Sequence, residues 1–190
     1  MQHPTNFYND FATAYAEMVT EREEAGIEKE PIMPRFLAML GDVSGLVTLD
    51  ACCGEGYLAR ILTERGAKVT GIDIAENLVQ RARAKDPDGQ ITYQVADLSQ
   101  PLPAYQQRFD LIVSHLAMND VPDYQGFLRT LGAVLKPGGR LVFSMNNPYS
   151  LVVRGHVTDY FDTDKAFSYR GMAERGVKVH FYQRTLEQYL

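Results

Sequence analysis

The segment VTLDACCGEGYLARI, residues 47 to 61, constrains the fold of this chain more than any other segment. It has the pattern of a buried strand that ends near Asp50, a turn that carries Gly54 and Gly56, and the start of an amphipathic helix. Glycine lets the backbone approach a ligand where a side chain would collide, and the first turn of a helix presents unpaired amide groups. The segment therefore predicts a ligand-binding turn between a strand and a helix.

Two carboxylates beside this turn indicate the charge of its ligand. Gly54, Gly56 and Ala59 satisfy the relaxed G-x-G-x-x-A pattern of dinucleotide-binding folds. Asp50 and Glu55 argue against that interpretation, because carboxylates beside a pyrophosphate repel it. A ligand with an ammonium or sulfonium group would instead be attracted. An NAD-dependent oxidoreductase is therefore the less favoured alternative.

From Val47 onward, segments typical of strands alternate with segments typical of helices. Helices are predicted over residues 57 to 65, 76 to 85 and 123 to 135, the last ended by Pro137-Gly138-Gly139. This alternation predicts an α/β, Rossmann-like fold with a mostly parallel sheet and helices on both faces. Residues 1 to 40 have a helical pattern and are expected to form a cap.

The order of these motifs resembles that of the class I S-adenosylmethionine-dependent methyltransferases, and in particular their small-molecule methyltransferase domains. Besides the glycine turn, the resemblance rests on four segments in the expected order: KVTGID, ITYQVADL, FDLIVSHLAMNDV and LKPGGRLVFSMNNP. The five motifs cover roughly residues 45 to 148. The resemblance implies S-adenosylmethionine as the cofactor and in-line methyl transfer to a small-molecule acceptor, without a metal.

The resemblance also implies roles for individual residues. Asp50 would lie by the methionine ammonium, Asp73 would hold the ribose hydroxyls, and Asp97 with Leu98 would meet the adenine. For Asp73, capping of a helix is the structural alternative. His115 is also a candidate general base, with a packing role as its alternative. The other positions expected to contact the cofactor are Tyr15, Ala51, Cys52, Gly54, Gly56, Ile74, Ser114 and His115.

The chain departs from the family at Cys52, where the first glycine of the motif is expected. Cysteine is compact enough for this turn provided that its φ angle stays negative. Cys52 and Cys53 are adjacent and are the chain's two cysteines, so neither a structural disulfide nor a thiolate metal cage is expected. A reduced, cytoplasmic setting follows.

The last forty residues differ from the family's seven-stranded sheet. The chain stops within the helix that would precede the last two strands, so we expect a truncated C-terminal region and a sheet that lacks those strands. The alternative is a shortened sheet in which another segment covers the strand around Leu141 to Ser144, and the alternating residues 177 to 182 are suited to form such a strand. Amide and aromatic side chains are expected to line the acceptor pocket, a surface loop being the alternative: Asn146, Asn147, Tyr149, His156, Tyr160, Phe161 and Tyr169.

Composition and net charge restrict the classes of molecule that this chain is expected to bind. With 190 residues, of which 45% are hydrophobic, the chain is expected to form one domain: a cap (1–40), a cofactor-binding core (45–148) and an acceptor-side region (149–190). The net charge of -5 disfavours a nucleic-acid substrate. The absence of a long apolar run disfavours a membrane partner. We expect a monomer or homodimer, and cofactor binding without catalysis is the alternative function.

Overall fold

The computed structural model describes residues 7–10, 12–29, 31–153, 155, 157–163, 166–168 and 180–189. The α-helices are Phe7–Asp10 (α1), Ala12–Ala25 (α2), Met33–Leu40 (α3), Tyr57–Glu64 (α4), Glu76–Ala84 (α5), Tyr124–Val134 (α6), Ser150–Val153 (α7) and Leu186–Tyr189 (α8). The strands are Val47–Ala51 (β1), Lys68–Asp73 (β2), Thr92–Val95 (β3), Phe109–His115 (β4), Leu135–Ser144 (β5), Ala166–Ser168 (β6) and His180–Tyr182 (β7).

Five strands form one parallel sheet in the order β3-β2-β1-β4-β5. The chain moves outward from β1 to β3 and then returns to the other side of β1 with β4. Open α/β sheets leave a crevice at the carboxyl ends of the strands where the order reverses in this way. The Rossmann-like α/β prediction is confirmed, and the glycine turn after β1 lies at this crevice.

Helices pack on both faces of the sheet, and the side chains of its central strands are therefore buried on both sides. In β4, Leu111 and Val113 belong to a core cluster with α3 and α4, whereas Ile112 belongs to a second cluster with α6. All three side chains are fully buried. This alternation is the period of two that a strand imposes, and it produces two separate apolar layers.

The end of α6 differs from the prediction. Asp123 caps this helix by accepting a hydrogen bond from the Gly126 amide at 2.8 Å, and the helix then ends at Val134 rather than at Pro137-Gly138-Gly139. Leu135 already pairs with Phe109 of β4, and the next pairing joins Leu111 to Arg140. The Pro-Gly-Gly segment is therefore a bulge inside β5 rather than a helix terminator. Helices α4 and α5 each end one residue before the predicted limit.

The C-terminal region also differs from the prediction. Strand β7 pairs antiparallel with β6, with Phe181 opposite Phe167, and belongs to a different sheet from β5, so for residues 180 to 182 the suggested cover of the β5 segment was wrong. Val177 and Val179 lie outside the described residues. Helix α8 begins as expected after Thr185, which exchanges hydrogen bonds with Gln188 at 2.8 and 3.3 Å in a capping box. In the described part of the chain, none of the helices combines the length and apolar character that crossing a membrane requires.

Gly56 is the position where the glycine turn tolerates least change. Its φ angle is +79°, and a Cβ atom there would lie 2.2 Å from the Tyr93 hydroxyl oxygen. We predict that Gly56→Ala lowers the free energy of unfolding by about 2 kcal/mol or more, from backbone strain and overpacking together. Urea unfolding followed by circular dichroism measures this loss.

Two further variants control this prediction. Tyr93→Phe is expected to restore part of the loss in the double variant, since the Tyr93 hydroxyl is buried without a hydrogen-bond partner among the described residues. Gly132→Ala in α6 is the matched control, because nothing lies within 4 Å of its added Cβ. It should gain about 0.5–1 kcal/mol from helix propensity. Similar losses at the two glycines would contradict the explanation.

Candidate active site

A cleft opens at the carboxyl ends of β1 and β4, with α2 and α3 on its other side. Tyr15 of α2 lies directly over the glycine turn, since a Cβ atom on Gly54 would be 3.3 Å from its ring. The cleft is lined by Tyr15, Val19, Met33, Asp50, Cys52, Cys53, Glu55, Tyr57, Leu58 and His115. The cleft thus joins the glycine turn to the N-terminal helices and to the end of the fourth strand.

Asp50 brings an unbalanced carboxylate to this cleft. Its side chain is 2% exposed, and its Oδ2 atom has no hydrogen-bond partner among the described residues. Burial, and secondarily the charge of Asp73, raises the pKa of Asp50 from 3.8 to about 7, although the Ala59 amide donates to this carboxyl and opposes the shift. A buried carboxylate without a cation is unfavourable, so this site is suited to a positively charged ligand.

Glu55 differs from Asp50 because its charge is balanced. Its Oε1 atom lies 2.8 Å from the Lys85 ammonium and 3.7 Å from the Arg60 guanidinium, and Glu23 pairs with both cations. Burial raises the pKa of Glu55, while Lys85 lowers it. Of the two carboxylates beside the turn, it is therefore mainly Asp50 that would repel a pyrophosphate.

Asp73 ends β2 and connects the glycine turn to the start of α5. Its Oδ2 accepts a hydrogen bond from the Gly54 amide and its Oδ1 accepts one from the Ala75 amide, each at 2.8 Å. Burial raises its pKa, and these amides oppose the shift. The alternative in which Asp73 caps a helix is wrong, because the N-cap residue of α5 is Ala75 and Asp73 instead accepts from the amide two residues on, in the turn before the helix. Each oxygen has a second lone pair, and the ribose role stays a prediction.

Asp97 and its neighbours lie beyond the end of β3. The Oδ1 atom of Asp97 accepts hydrogen bonds from the Ser99 amide at 2.8 Å and the Ser99 hydroxyl at 2.6 Å. Leu98 is buried, whereas Ile74, after β2, is half-buried. These hydrogen bonds fix the Asp97 carboxylate beyond the carboxyl end of β3, and the adenine contact of Asp97 and Leu98 stays a prediction.

Cys52 contradicts the expectation that its φ angle is negative, because the angle is +62°. The Ile72 carbonyl accepts from the amides of both Cys52 and Cys53, at 2.8 and 3.1 Å, and this shared acceptor forces the sharp turn. Burial raises the pKa of the Cys52 thiol, and the carboxylates of Asp73, Asp50, Asp120 and Asp97 raise it further. The Cys52 thiol therefore lies within the electrostatic influence of four acidic side chains.

Of the two residues that end β4 near the cleft, His115 lines it and Ser114 does not. The His115 Nδ1 atom is 2.7 Å from the Ser144 hydroxyl oxygen, and the ring lies 4.9 Å from that of Phe36. Ser114 is fully buried, with no described hydrogen bond to its hydroxyl. Ala51 is also fully buried, and the cofactor contacts expected of Ser114 and Ala51 stay predictions. The role of His115 as a base stays a prediction.

Sequence reasoning missed a polar pair at the edge of the cleft. The Tyr8 hydroxyl of α1 donates a hydrogen bond to Asp120, which follows β4. Burial raises the pKa of Asp120 to about 7, opposed by this hydrogen bond, and burial also raises the pKa of Tyr8. The available signal in the sequence was Asp120 itself, an acidic residue in the mainly apolar segment after β4. No sequence pattern indicated its pairing with Tyr8.

The proposed acceptor wall packs mainly on itself. The rings of Tyr149 and Tyr160 stack with centroids 4.2 Å apart, and Phe161 meets Tyr160 edge to face at 5.2 Å. The Asn146 amide donates to the Asn119 side chain, and Asn147 accepts from the Tyr149 amide. His156 and Tyr169 lie outside the described residues. None of the described members lines the cleft, so their acceptor role stays a prediction.

The chemistry available in the cleft is therefore electrostatic and steric. An unbalanced Asp50 carboxylate, a glycine turn and a tyrosine cover fit a ligand that carries a positive charge. Within the described ranges, no three His, Cys, Asp or Glu side chains are grouped so as to hold a metal ion.

We predict that Asp50→Asn changes the pH dependence of stability. The pKa of the folded-state carboxyl is raised from 3.8 to about 7, so the folded wild type retains a proton that the unfolded chain has lost between about pH 4 and 7. Wild-type stability therefore falls with rising pH through this window. The stability of the variant relative to wild type should rise over the same window by up to about 4 kcal/mol.

Urea unfolding at pH values from 4.5 to 8 measures this difference, within the range where both proteins fold. Asp110→Asn is the control with the opposite sign, because Lys136 and the Val47 amide lower the pKa of Asp110. That variant should lose stability at neutral pH, and the loss should vanish in acid. A stability difference for Asp50→Asn that does not change with pH would contradict the assignment.

The positive φ angle of Cys52 gives a second prediction. Alanine at this position would retain the left-handed strain, whereas glycine would relieve it. We predict that Cys52→Gly is more stable than Cys52→Ala by about 1 kcal/mol, which reverses the usual order of the two residues. Thermal unfolding of both variants under reducing conditions measures the difference. An alanine variant as stable as the glycine variant would show that this turn carries no strain.

Comparison with known proteins identifies the family. Residues 49–143 match the family described as "Methyltransferase domain". The chain is 32% identical to an S-adenosylmethionine-dependent methyltransferase from Mesorhizobium loti, whose crystal structure it matches with a TM-score of 0.67. That similarity covers 86% of this chain and 79% of the other.

Two relatives have names that state a biosynthetic pathway or a compound. The chain is 35% identical over 119 residues to a ubiquinone biosynthesis O-methyltransferase from Coxiella burnetii, covering 62% of this chain and 50% of the relative. It is 40% identical over 105 residues to a demethylmenaquinone methyltransferase from Tropheryma whipplei, covering 55% of this chain and 43% of the relative. The chain thus spans about half the length of these curated relatives. The family match and the solved structure together show that the chain belongs to the S-adenosylmethionine-dependent methyltransferases.

Proposed function

We propose that this protein transfers a methyl group from S-adenosylmethionine to a small-molecule acceptor. The observation that carries the proposal is Asp50, a buried carboxylate with an unpaired oxygen beside the glycine turn. A ligand that brings an ammonium group to this oxygen would remove the cost of burying the charge. Family membership supports the same ligand.

The residues around the cleft have distinct proposed roles. Asp50 holds the ammonium, the turn at Gly54 and Gly56 lets the backbone approach the ligand, and Tyr15 covers it. Asp73 holds the ribose with the lone pairs that its amide contacts leave available, and Asp97 meets the adenine. The remaining proposed contacts are Cys52, Leu98, Ile74 and His115 by side chain or backbone, and Ala51 and Ser114 by backbone.

The chemistry depends on position more than on an activated protein group. The cofactor, when bound, supplies a methyl group that its sulfonium already activates. The protein holds the acceptor in line and excludes water, and orientation of this kind can lower a barrier by about 7–11 kcal/mol. Where the acceptor must lose a proton, His115 is the proposed base, since it lines the cleft and its Nδ1 is held by Ser144.

The acceptor is proposed to be a small organic molecule. The two relatives are named for ubiquinone biosynthesis and for demethylmenaquinone, and the net charge of -5 disfavours a nucleic acid. The stacked rings of Tyr149 and Tyr160, which lie outside the cleft lining, are proposed to supply an apolar contact for the acceptor. The protein is further proposed to work in the cytoplasm as a monomer or homodimer, in keeping with its free cysteines.

Calorimetric titration with S-adenosylhomocysteine tests the cofactor site. We predict micromolar binding of this ligand, no binding of NAD, and an affinity at least tenfold lower for Asp50→Asn, because the ammonium loses its counter-charge. Asp110→Asn is the control, since that carboxylate pairs with Lys136 away from the cleft lining and should leave the affinity unchanged. Equal affinity of wild type and Asp50→Asn would refute the role given to Asp50.

A turnover assay separates methyl transfer from binding without catalysis. The assay follows S-adenosylhomocysteine formation with panels of phenols, hydroquinones, amines and thiols. Turnover with one panel identifies the acceptor atom. Tight cofactor binding without turnover in any panel would favour the alternative of a cofactor-binding protein.

A further inference from the structure

The N-terminal helices α1 and α2 bridge the two halves of the sheet. On one side, Asn9 accepts hydrogen bonds from the backbone and side-chain amides of Asn77 in α5, at 2.9 and 3.0 Å, and Glu23 pairs with Lys85 at 3.0 Å. These contacts belong to the half that contains β2 and β3. On the other side, the Tyr8 hydroxyl donates to Asp120, which follows β4. Helices α1 and α2 are the part of the cap (residues 1–40) that spans the switch point, the position between β1 and β4 where the strand order reverses.

The contact between Tyr8 and Asp120 supports the residue that covers the glycine turn. The ring of Tyr8 packs edge to face on the ring of Tyr15, with centroids 5.9 Å apart. Tyr15 in turn lies over Gly54. A change in the position of Tyr8 is thus transmitted directly to the cover of the cleft.

The loop that carries Asp120 is held from the C-terminal side by Arg184. Its guanidinium donates to the carbonyls of Val121 and Pro122 at 2.7 Å each, and to that of Met118 at 3.5 Å. These three carbonyls bracket Asp120. The planar fork of an arginine can bind several acceptors in a fixed geometry, so these bonds define the backbone of the loop.

No carboxylate of a described residue pairs with Arg184. Its side chain is 2% exposed, and among the described ion pairs none involves it. The guanidinium lies over the rings of Tyr124 and Tyr182, 4.6 and 5.0 Å from their centroids. Burying a cation without a counter-ion is costly, and carbonyls and aromatic faces offset the cost only in part. Such an arrangement is expected where the arginine serves to fix the geometry of the loop rather than to stabilise the fold.

We propose that Arg184 is a positioning residue for the cleft. It fixes the loop Met118–Pro122 so that Asp120 accepts the hydrogen bond from Tyr8, and this bond holds the cap over the glycine turn. The two ends of the described chain are thereby coupled across the switch point. The inference concerns closure of the cleft, and only its consequence for cofactor binding rests on the proposed function.

Hydrogen exchange of the ligand-free protein tests the coupling without any activity measurement. Arg184→Met is expected to accelerate amide exchange about three- to tenfold in residues 116–122 and also in α2, with β1 and β2 unchanged. Tyr8→Phe should accelerate α2 alone. Lys136→Met is the matched control, because it also removes a cation but one that pairs with Asp110. It should leave both regions unchanged.

The double variant Arg184→Met/Tyr8→Phe distinguishes positioning from general stabilisation. If Arg184 acts on the cap through Tyr8, exchange in α2 should be no faster in the double variant than in Tyr8→Phe. Additive acceleration, an unchanged α2 in Arg184→Met, or loss of protection spread over β1 and β2 would each overturn the proposal. Failure of the wild type to bind S-adenosylhomocysteine would refute the proposed function and leave these exchange results intact.

Discussion

The burial of the Asp50 carboxylate at the switch point of the sheet is the constraint on which the site depends. The strand order places the end of β1 between β2 and β4, so a side chain there is surrounded by protein. Asp50 makes one backbone contact and leaves one oxygen unpaired. Burying this carboxylate without a cation lowers the stability of the fold, and binding of a cation would restore that stability. In a structural ion pair the protein itself supplies the cation, whereas in a binding site the ligand supplies it.

The glycine turn is built around this carboxylate by a set of strict local requirements. Gly56 has no space for a Cβ atom beneath it, Cys52 adopts a left-handed backbone, and Asp73 fastens the turn to α5 through two amides. Unusual backbone conformations of this kind concentrate at functional sites and persist where surrounding contacts fix them. In this protein the fixing contacts are the Ile72 carbonyl and the Asp73 carboxylate.

Local patterns were sufficient to predict the strand-turn-helix unit, the strand ends at Asp73 and His115, and the α/β fold. The features that were not predicted depend on contacts between distant residues. The bulge at Pro137–Gly139 results from the pairing of β5 with β4. Strand β7 pairs with β6, and that pairing also depends on residues that are distant in the sequence. Tyr8 and Asp120 are 112 positions apart, and no periodicity reports such a pair. The sign of φ at Cys52 was likewise set by a carbonyl on β2.

The account is tested most directly by the pKa of the Asp50 carboxyl, measured by carbon-13 NMR with and without saturating S-adenosylhomocysteine. We predict a value of about 7 in the ligand-free protein, from burial without a cation. Binding should lower it to below about 5, because the ammonium of the ligand stabilises the charged form. A ligand-free value near the ordinary 3.8, or a value that the ligand does not change, would contradict the claim that Asp50 receives the cofactor.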